Sequence, residues 1–194
     1  MEELSKAVLK TAADIEDLQQ ENINLRKSNA DLTVKVDTLE QATRENVVEI
    51  YVVPFNAKGN LIDILSQISQ VIGFDFNRDM IDHCYRFGAV SGRSGAIVAK
   101  FVRKLGMEGF LEKRRQKRNV SSRDLGYMAG ESTPVYVNES LTKAKRLLLN
   151  AARQVKADKH YTFLWVKNGR IFMRKNQGER YLIINCEADL QRII

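Results

Sequence analysis

Cysteine is nearly missing from this chain. Cys84 and Cys186 are the only two, too few for a disulfide scaffold, and neither stands in a CxxC or Cys/His spacing that would hold zinc. Both read as ordinary packed thiols. Histidine is as scarce, with only His83 and His160. No GxSxG, P-loop or metal-ligand spacing accompanies them, and the acidic residues form no obvious catalytic pair, so the chain is expected to be no enzyme and to need no cofactor. Apolar runs long enough to span a bilayer are absent, as is the pattern of an N-terminal signal peptide. The expectation is a soluble, non-secreted protein with no membrane insertion, working inside the cell, in the cytoplasm with the nucleus as a further location.

What the sequence does have begins at its first residues. Leu or Thr recurs at every seventh position, Leu4, Thr11, Leu18, Leu25, Leu32 and Leu39, and Val8, Ile15, Asn22, Asn29 and Val36 fill the complementary stripe. A strict 3.5-residue repeat buries its seam only against another copy of the same seam, so residues 1–46 are expected to form a coiled coil that oligomerises the chain. Leucine at d with β-branched residues at a favours two parallel strands. Buried Asn22 and Asn29 are satisfied by their mates only in register, which points to a parallel homodimer, with a homotrimer as the alternative. Glu21 at g with Arg26 at the next e, and Lys35 with Glu40, set opposite charges across such a seam, each pair contributing roughly 0.3–0.5 kcal/mol. The competing reading is an amphipathic helix folded back on its own domain.

The 194 residues carry a formal net charge of +7, which conceals two parts of opposite sign. Residues 1–46 hold six Lys/Arg against ten Asp/Glu, a balance of −4, and residues 47–194 hold 25 against 14, or +11. Such a field suits polyanions. The surplus concentrates in residues 100–123, which contain Lys100, Arg103, Lys104, Lys113, Arg114, Arg115, Lys117, Arg118 and Arg123 against Glu108 and Glu112. A basic helix is often only a solvated face, so this run alone does not decide the ligand.

Past the coiled coil the pattern reads as a strand from Val47 to Pro54, a Gly59-Asn60 turn and a helix from Leu61 to Ile72. Strands at Asp82 to Phe87 and Gly95 to Val102 follow, separated by a Gly88 to Gly95 loop, then a helix from Leu105 to Arg118 and a short strand from Pro134 to Asn138. The order β-α-β-β-α-β over residues 47–137 is the ferredoxin-like split arrangement, in which an antiparallel sheet keeps one face uncovered, the face on which RNA-recognition motifs bind. Ile50-Tyr51-Val52-Val53-Pro54-Phe55 fits the first-strand signature of those motifs, with Tyr51 where a stacking ring points outward. Aligning Ser94 to Phe101 on the third-strand signature keeps Gly95 and Phe101 but puts Ala96 and Val98 at the stacking positions. Glu49, Tyr51, Arg86 or its neighbours, and Lys100 then make a face better suited to phosphates than to base reading. Tyr51 is equally readable as a half-buried sheet residue.

Residues 138–194 read as a small second unit. Asn138 is expected to cap a helix from Glu139 to Ala157, with Leu141, Ala144, Leu148, Ala151 and Val155 as its apolar stripe and Lys143, Arg146 and Arg153 opposite. Asn168-Gly169 is a type I′ hairpin signal that fixes the pairs Lys167/Arg170, Val166/Ile171, Trp165/Phe172, Leu164/Met173 and Phe163/Arg174. One face then gathers Leu164, Val166, Ile171 and Met173. The other gathers Phe163, Trp165, Phe172, Lys167, Arg170 and Arg174, rings interleaved with cations as in a platform for single strands. The alternative has those rings covered by the preceding domain or by Tyr181, Ile183 and the last helix. A strand from Arg180 to Ile184 and a helix from Glu187 to Ile194 complete the unit, so the fold class is α+β.

The stretch VYVNESLTKAKRLLLNAARQVKADKHYTFLWVKNGRIFMRK resembles the C-terminal domain of the baculovirus few-polyhedra (FP) proteins, and VVEIYVVPF, EKRRQKR and KNGRIFMRK look like landmarks of that family across most of residues 47–194. The layout of coiled coil, RNA-recognition-like domain and C-terminal domain is also similar to the first-open-reading-frame protein of LINE-class retrotransposons. The retrotransposon resemblance implies a homo-oligomeric single-stranded nucleic-acid binder and chaperone that coats RNA. The viral one implies a factor in occlusion-body and virion maturation. By motif match it carries over Arg86 in DHCYRFG, Lys100 in IVAKF, the Lys113 to Arg118 cluster, Arg146, Arg153, Arg170 and Arg174. The competing function is a structural or adaptor protein whose basic surface binds acidic protein or membrane head groups.

Overall fold

The computed structural model describes residues 1–51, 60–88, 95–128 and 131–193, and its chain divides into two compact units, Met1–Ala42 and Thr43–Ile194. The first is helical. Helix α1 runs Glu2–Thr43 without a break, as expected of a segment that holds neither Gly nor Pro and starts on Glu2 and Glu3, whose carboxylates suit the helix N-terminus. Its apolar stripe is bare in the single chain: Ile15, Leu18, Leu25, Leu32 and Leu39 are each at least half exposed. No helix among the described residues is long and apolar enough to cross a membrane.

The second unit is α+β and built on two antiparallel sheets. Strands β1 (Val47–Tyr51), β2 (Ile81–Phe87), β3 (Ala96–Phe101) and β4 (Tyr136–Glu139) lie in the order β2-β3-β1-β4, and every neighbouring pair is antiparallel. Helices α2 (Leu61–Ile72) and α3 (Lys104–Gln116) alternate with them, giving the order β-α-β-β-α-β. Asn60 caps α2 by accepting from the Ile62 N–H at 3.0 Å, and Gly73 ends it at φ +71, where a side chain would be strained. Ile64, Leu65, Ile68 and Ile72 of α2 and Met107, Phe110 and Leu111 of α3 close over Val48, Ile50, Ile97, Ala99, Phe101 and Val137. Tyr51 ends the described part of β1, so the expected continuation to Pro54, the signature residues from Val52 to Phe55 and Gly59 lie outside the described residues, as do residues 89–94 of the Gly88 to Gly95 loop.

The second sheet is formed by β5 (Phe163–Lys167), β6 (Arg170–Arg174) and β7 (Leu182–Ile184), with α4 (Lys143–Asp158) and α5 (Glu187–Gln191) against it. The hairpin register matches the expected pairs one for one, because Asn168 and Gly169 both take the positive φ, 51° and 66°, that a type I′ turn needs. Ile171 and Met173 are fully buried with Leu148, Ala152, Ile184 and Leu190, and Leu164 and Val166 pack beside them.

Two expectations for α4 are corrected. Asn138 does not cap it, because the ladder between β1 and β4 continues through Glu49↔Asn138 and Val48↔Glu139. The cap is Thr142, whose Oγ1 accepts from the Lys145 N–H at 3.2 Å. The apolar stripe holds in part: Leu148, Ala151 and Val155 pack in the second core as expected, whereas Leu141 is buried but precedes the helix, Ala144 is exposed, and Ala152 is the buried residue the expected stripe lacked.

Candidate functional site

Within the Thr43–Ile194 unit, the β1–β4 half of the first sheet and α4 with β5 of the second sheet face each other across a cleft of ≈ 710 Å³. Arg114 and Arg115 reach it from the last turn of α3, Tyr136 and Asn138 from β4, Arg146, Asn150 and Arg153 from one face of α4, Trp165 from β5 and Tyr51 from β1. Four guanidinium groups and three large rings therefore border one space. Two carboxylates, Glu49 and Glu139, stand among them, so the lining carries a formal 4 − 2 = +2.

Both carboxylates are engaged. Glu49 is 7 % exposed, and its Oε1 accepts from Ser140 Oγ at 2.7 Å and from Arg146 Nη2 at 3.3 Å, while its Oε2 accepts from the Tyr51 hydroxyl. Burial, reinforced by that bond to Glu49, pushes the Tyr51 phenol up to about 12, so it stays a neutral donor through the physiological range. Glu139 takes Arg115 Nη2 at 3.3 Å on one oxygen and the backbone N–H of Gly169 at 2.8 Å on the other, which pins the hairpin turn to β4. Lys145 Nζ donates to the Gly169 carbonyl at 2.8 Å from the α4 side.

The arginines differ in what holds them. Arg114 donates to the carbonyls of Lys117 at 3.0 Å and Val135 at 3.1 Å, so it braces the end of α3 against the edge of the sheet. Arg146 also bonds the Leu141 carbonyl at 3.1 Å. Arg153 donates to Asn150 Oδ1 at 3.0 Å, and no carboxylate among the described residues pairs with it. A polyanion entering the cleft meets Arg153 at once and competes with carboxylates for Arg115 and Arg146.

Of the residues singled out in the sequence, Tyr51, Arg114, Arg115, Arg146, Arg153 and Trp165 meet in this cleft. Lys113, Lys117 and Arg118 are exposed on or just past the end of α3, and Lys167 and Arg170 are exposed beside the hairpin turn, all outside the lining. Arg174 is half-buried, its guanidinium 4.7 Å from the Phe163 ring centroid and 5.9 Å from that of Trp165, so it serves the ring stack. Trp165 lies parallel to Phe172 at 5.5 Å, and Tyr181 meets both rings edge-on at 6.3 and 5.4 Å. The aromatic face is thus covered in part from within its own sheet.

On the outward face of the first sheet, Arg86 is not where a phosphate contact was expected. Its partner across the ladder is the fully buried Ile97, so it points to the helix side, and its Nη1 donates to the Gly95 carbonyl at 3.0 Å. The neighbours Tyr85 and Phe87 take the outward positions instead, Tyr85 parallel to His83 with centroids 5.8 Å apart. Lys100 does face outward but is 3.2 Å from Asp82, whose carboxyl it holds below the ordinary range. Val47, Glu49 and Val98 in the middle of this face are buried, so what the sheet leaves accessible lies at its margins.

The cleft was not visible as a site in the sequence: Glu49 was placed with Tyr51 on the sheet face, and Tyr136, Asn138, Glu139 and Asn150 were not assigned to any site. Its α4 and β5 wall carries a recognisable signature. Residues 142–194 match the family described as Baculovirus FP protein domain 2. The FP domain 2 match starts at Thr142, the residue that caps α4, and takes in KNGRIFMRK, one of the stretches that carry the resemblance, while VVEIYVVPF and EKRRQKR lie before it. It supplies Arg146, Arg153 and Trp165, whereas Tyr51, Arg114, Arg115 and Tyr136 come from the chain before it. No curated protein matches the chain.

Proposed function

We propose that the chain is a homo-oligomeric, largely sequence-independent single-stranded nucleic-acid binding protein, with RNA as its favoured ligand, acting inside the cell as a chaperone or packaging factor. The observation that carries this reading is the cleft: four arginines and the rings of Trp165, Tyr51 and Tyr136 border one open space with a net positive lining. Guanidinium groups recognise phosphates and rings recognise π-faces, both of which every nucleotide presents, so such a site binds strands without reading bases. The split strand-helix order of residues 47–137 and the antiparallel sheet support an RNA-recognition-like fold, and the layout resembling LINE-class retrotransposon proteins agrees with it. The centre of the outward sheet face is buried and β3 offers Ala96 and Val98 in place of rings, so the strand runs at the β4 margin, in the cleft. For α1, the exposed heptad stripe supports a coiled coil, with a parallel dimer favoured over a trimer.

Binding of labelled single-stranded RNA across a salt series tests this. If about four phosphates are neutralised, log K falls with log salt at a slope of about −3, with little preference among homopolymers. Protein that ignores RNA at low salt while capturing an acidic protein or anionic vesicles would replace this reading with the adaptor one. Glu139 offers a sharper arm. Glu139→Gln removes a charge facing Arg115 while its amide oxygen can still accept from Gly169, so affinity is expected to rise about threefold to tenfold at low salt. Unchanged affinity would take Arg115 out of phosphate binding.

A further inference from the structure

The face of α4 that borders the cleft does not stop there. Arg146, Leu149, Asn150 and Arg153 line the cleft, and a second groove of ≈ 670 Å³ is lined by Arg153, Lys156, Ala157, His160, Tyr161 and Leu164. Arg153 and Leu164 belong to both. Positions 146, 149, 150, 153, 156 and 157 recur at intervals of three and four, which places them along a single stripe of α4, and His160 follows just past the helix end. The two grooves are therefore consecutive segments of one trough, whose helical part is about 17 Å long at the helical rise.

The second segment differs from the first in charge. Glu49 and Glu139 stand in the cleft, but among the described residues no carboxylate lines the groove beyond Arg153, whose polar groups are the guanidinium, the Lys156 ammonium, the His160 imidazole and the Tyr161 hydroxyl. The backbone holds this end in a defined reversal. His160 takes a left-handed φ of +56° and its N–H donates to the Ala157 carbonyl, while the Tyr161 N–H reaches back to the Lys156 carbonyl at 2.9 Å. Tyr161 is packed against the second core, and Lys175 Nζ lies 5.7 Å from its ring centroid. A fixed ring with the Lys175 ammonium over it and further cations beside it, continuous with a cleft of the same character, matches the phosphate and base of a further nucleotide.

We propose that the groove at Lys156, His160 and Tyr161 is a second subsite for the same single strand that occupies the cleft, so that α4 tracks a run of several nucleotides. This rests on the nucleic-acid reading of the cleft. Lys156 and His160 donate to phosphate oxygens, Tyr161 offers a stacking wall, and Arg153 bridges the two segments. The subsite adds length and not base recognition, since none of its groups presents a paired donor and acceptor to a base edge.

The test compares oligouridylates of about four and about ten nucleotides on the full chain and on the double variant Lys156→Gln, His160→Asn. Asn tolerates the left-handed backbone of residue 160, and neither side chain belongs to the core. The longer strand is expected to bind about tenfold more weakly to the variant, with a shallower salt slope, while the shorter strand, held by the cleft arginines, binds as before. Unchanged affinity for the longer strand overturns the second subsite and leaves the cleft reading standing. Equal weakening of both lengths also overturns it, because the two residues then act through α4 and not by contact. Wild-type protein that binds neither strand overturns the cleft reading and the subsite together.

Discussion

Replacing Leu18, Leu25 and Leu32 by Ala is expected to give a monomer that keeps its globular fold and binds a long single strand about 10²- to 10⁴-fold more weakly than the wild-type protein. These leucines are d-position residues, exposed in the single chain and buried only if a second helix covers them. Truncating each in a packed seam costs about 2–5 kcal/mol, and three such losses in every helix exceed what a coiled coil of six heptads can spare. The globular part is insulated from the change, since both of its cores are built from residues beyond Thr43. Linked copies turn the second and later contacts along one strand into intramolecular events, so the loss appears on long strands and vanishes on oligonucleotides short enough to fill one cleft. Light scattering and binding to strands of both lengths read the two effects. A variant that stays oligomeric removes the heptad from the assembly, and a monomer that binds long strands as tightly as wild type removes assembly from the mechanism.

The second large effect is expected at the cleft. Arg115→Ala, Arg146→Gln and Arg153→Ala together should lower single-strand affinity by about 10²-fold or more and reduce the salt slope by about 2, three phosphate contacts at about 0.7 each. Gln at 146 can still donate to Glu49, which also keeps its bonds from Ser140 and Tyr51, so the buried carboxylate is not orphaned. The control has the same change in net charge: Lys113, Lys117 and Arg118 to Ala, exposed positions outside the cleft. If the overall field of the basic part governs binding, both triples weaken it alike. If the cleft governs it, the control loses a fraction of what the cleft triple loses.

What could be read in advance was whatever is decided within a few residues. The Asn168-Gly169 turn dictates its hairpin register by its own backbone geometry, and the pairs followed without exception. Helix α2 is bounded by Asn60 and Gly73, one cap residue and one residue suited to positive φ, and its limits were legible for that reason. The start of α4 was not, because Asn138, Ser140 and Thr142 are all cap-forming residues, and the choice among them is made by the pairing of β4 with β1, some ninety residues earlier in the chain. Arg86 shows the same limit. Both alternating sets of β2, His83-Tyr85-Phe87 and Cys84-Arg86, contain apolar side chains, so the pattern could not say which faces the helices.

The cleft is harder still to foresee, being a juxtaposition and not a motif. Tyr51, Arg114, Arg146 and Trp165 sit on four different elements and share no spacing. Net charge indicated an anionic ligand for the globular part but not that Glu49, which reads as a strand carboxylate, and Glu139, which reads as the start of a helix, stand inside the basic site and hold two of its arginines. The alternation of rings and cations on β5 and β6 was legible, yet its use was not. Arg174 stacks on Phe163 while Trp165 turns out to border the space opposite β4.

The chain's single tryptophan is Trp165, and it lines the cleft, so its fluorescence reports on that space alone. Titration of the 194-residue chain with single-stranded oligouridylate at low salt should quench this emission in a saturable way, and added salt should restore it in step with the loss of binding. Strand binding that leaves Trp165 emission unchanged would contradict the placement of the strand in the cleft, and an absence of binding would contradict the proposed function itself.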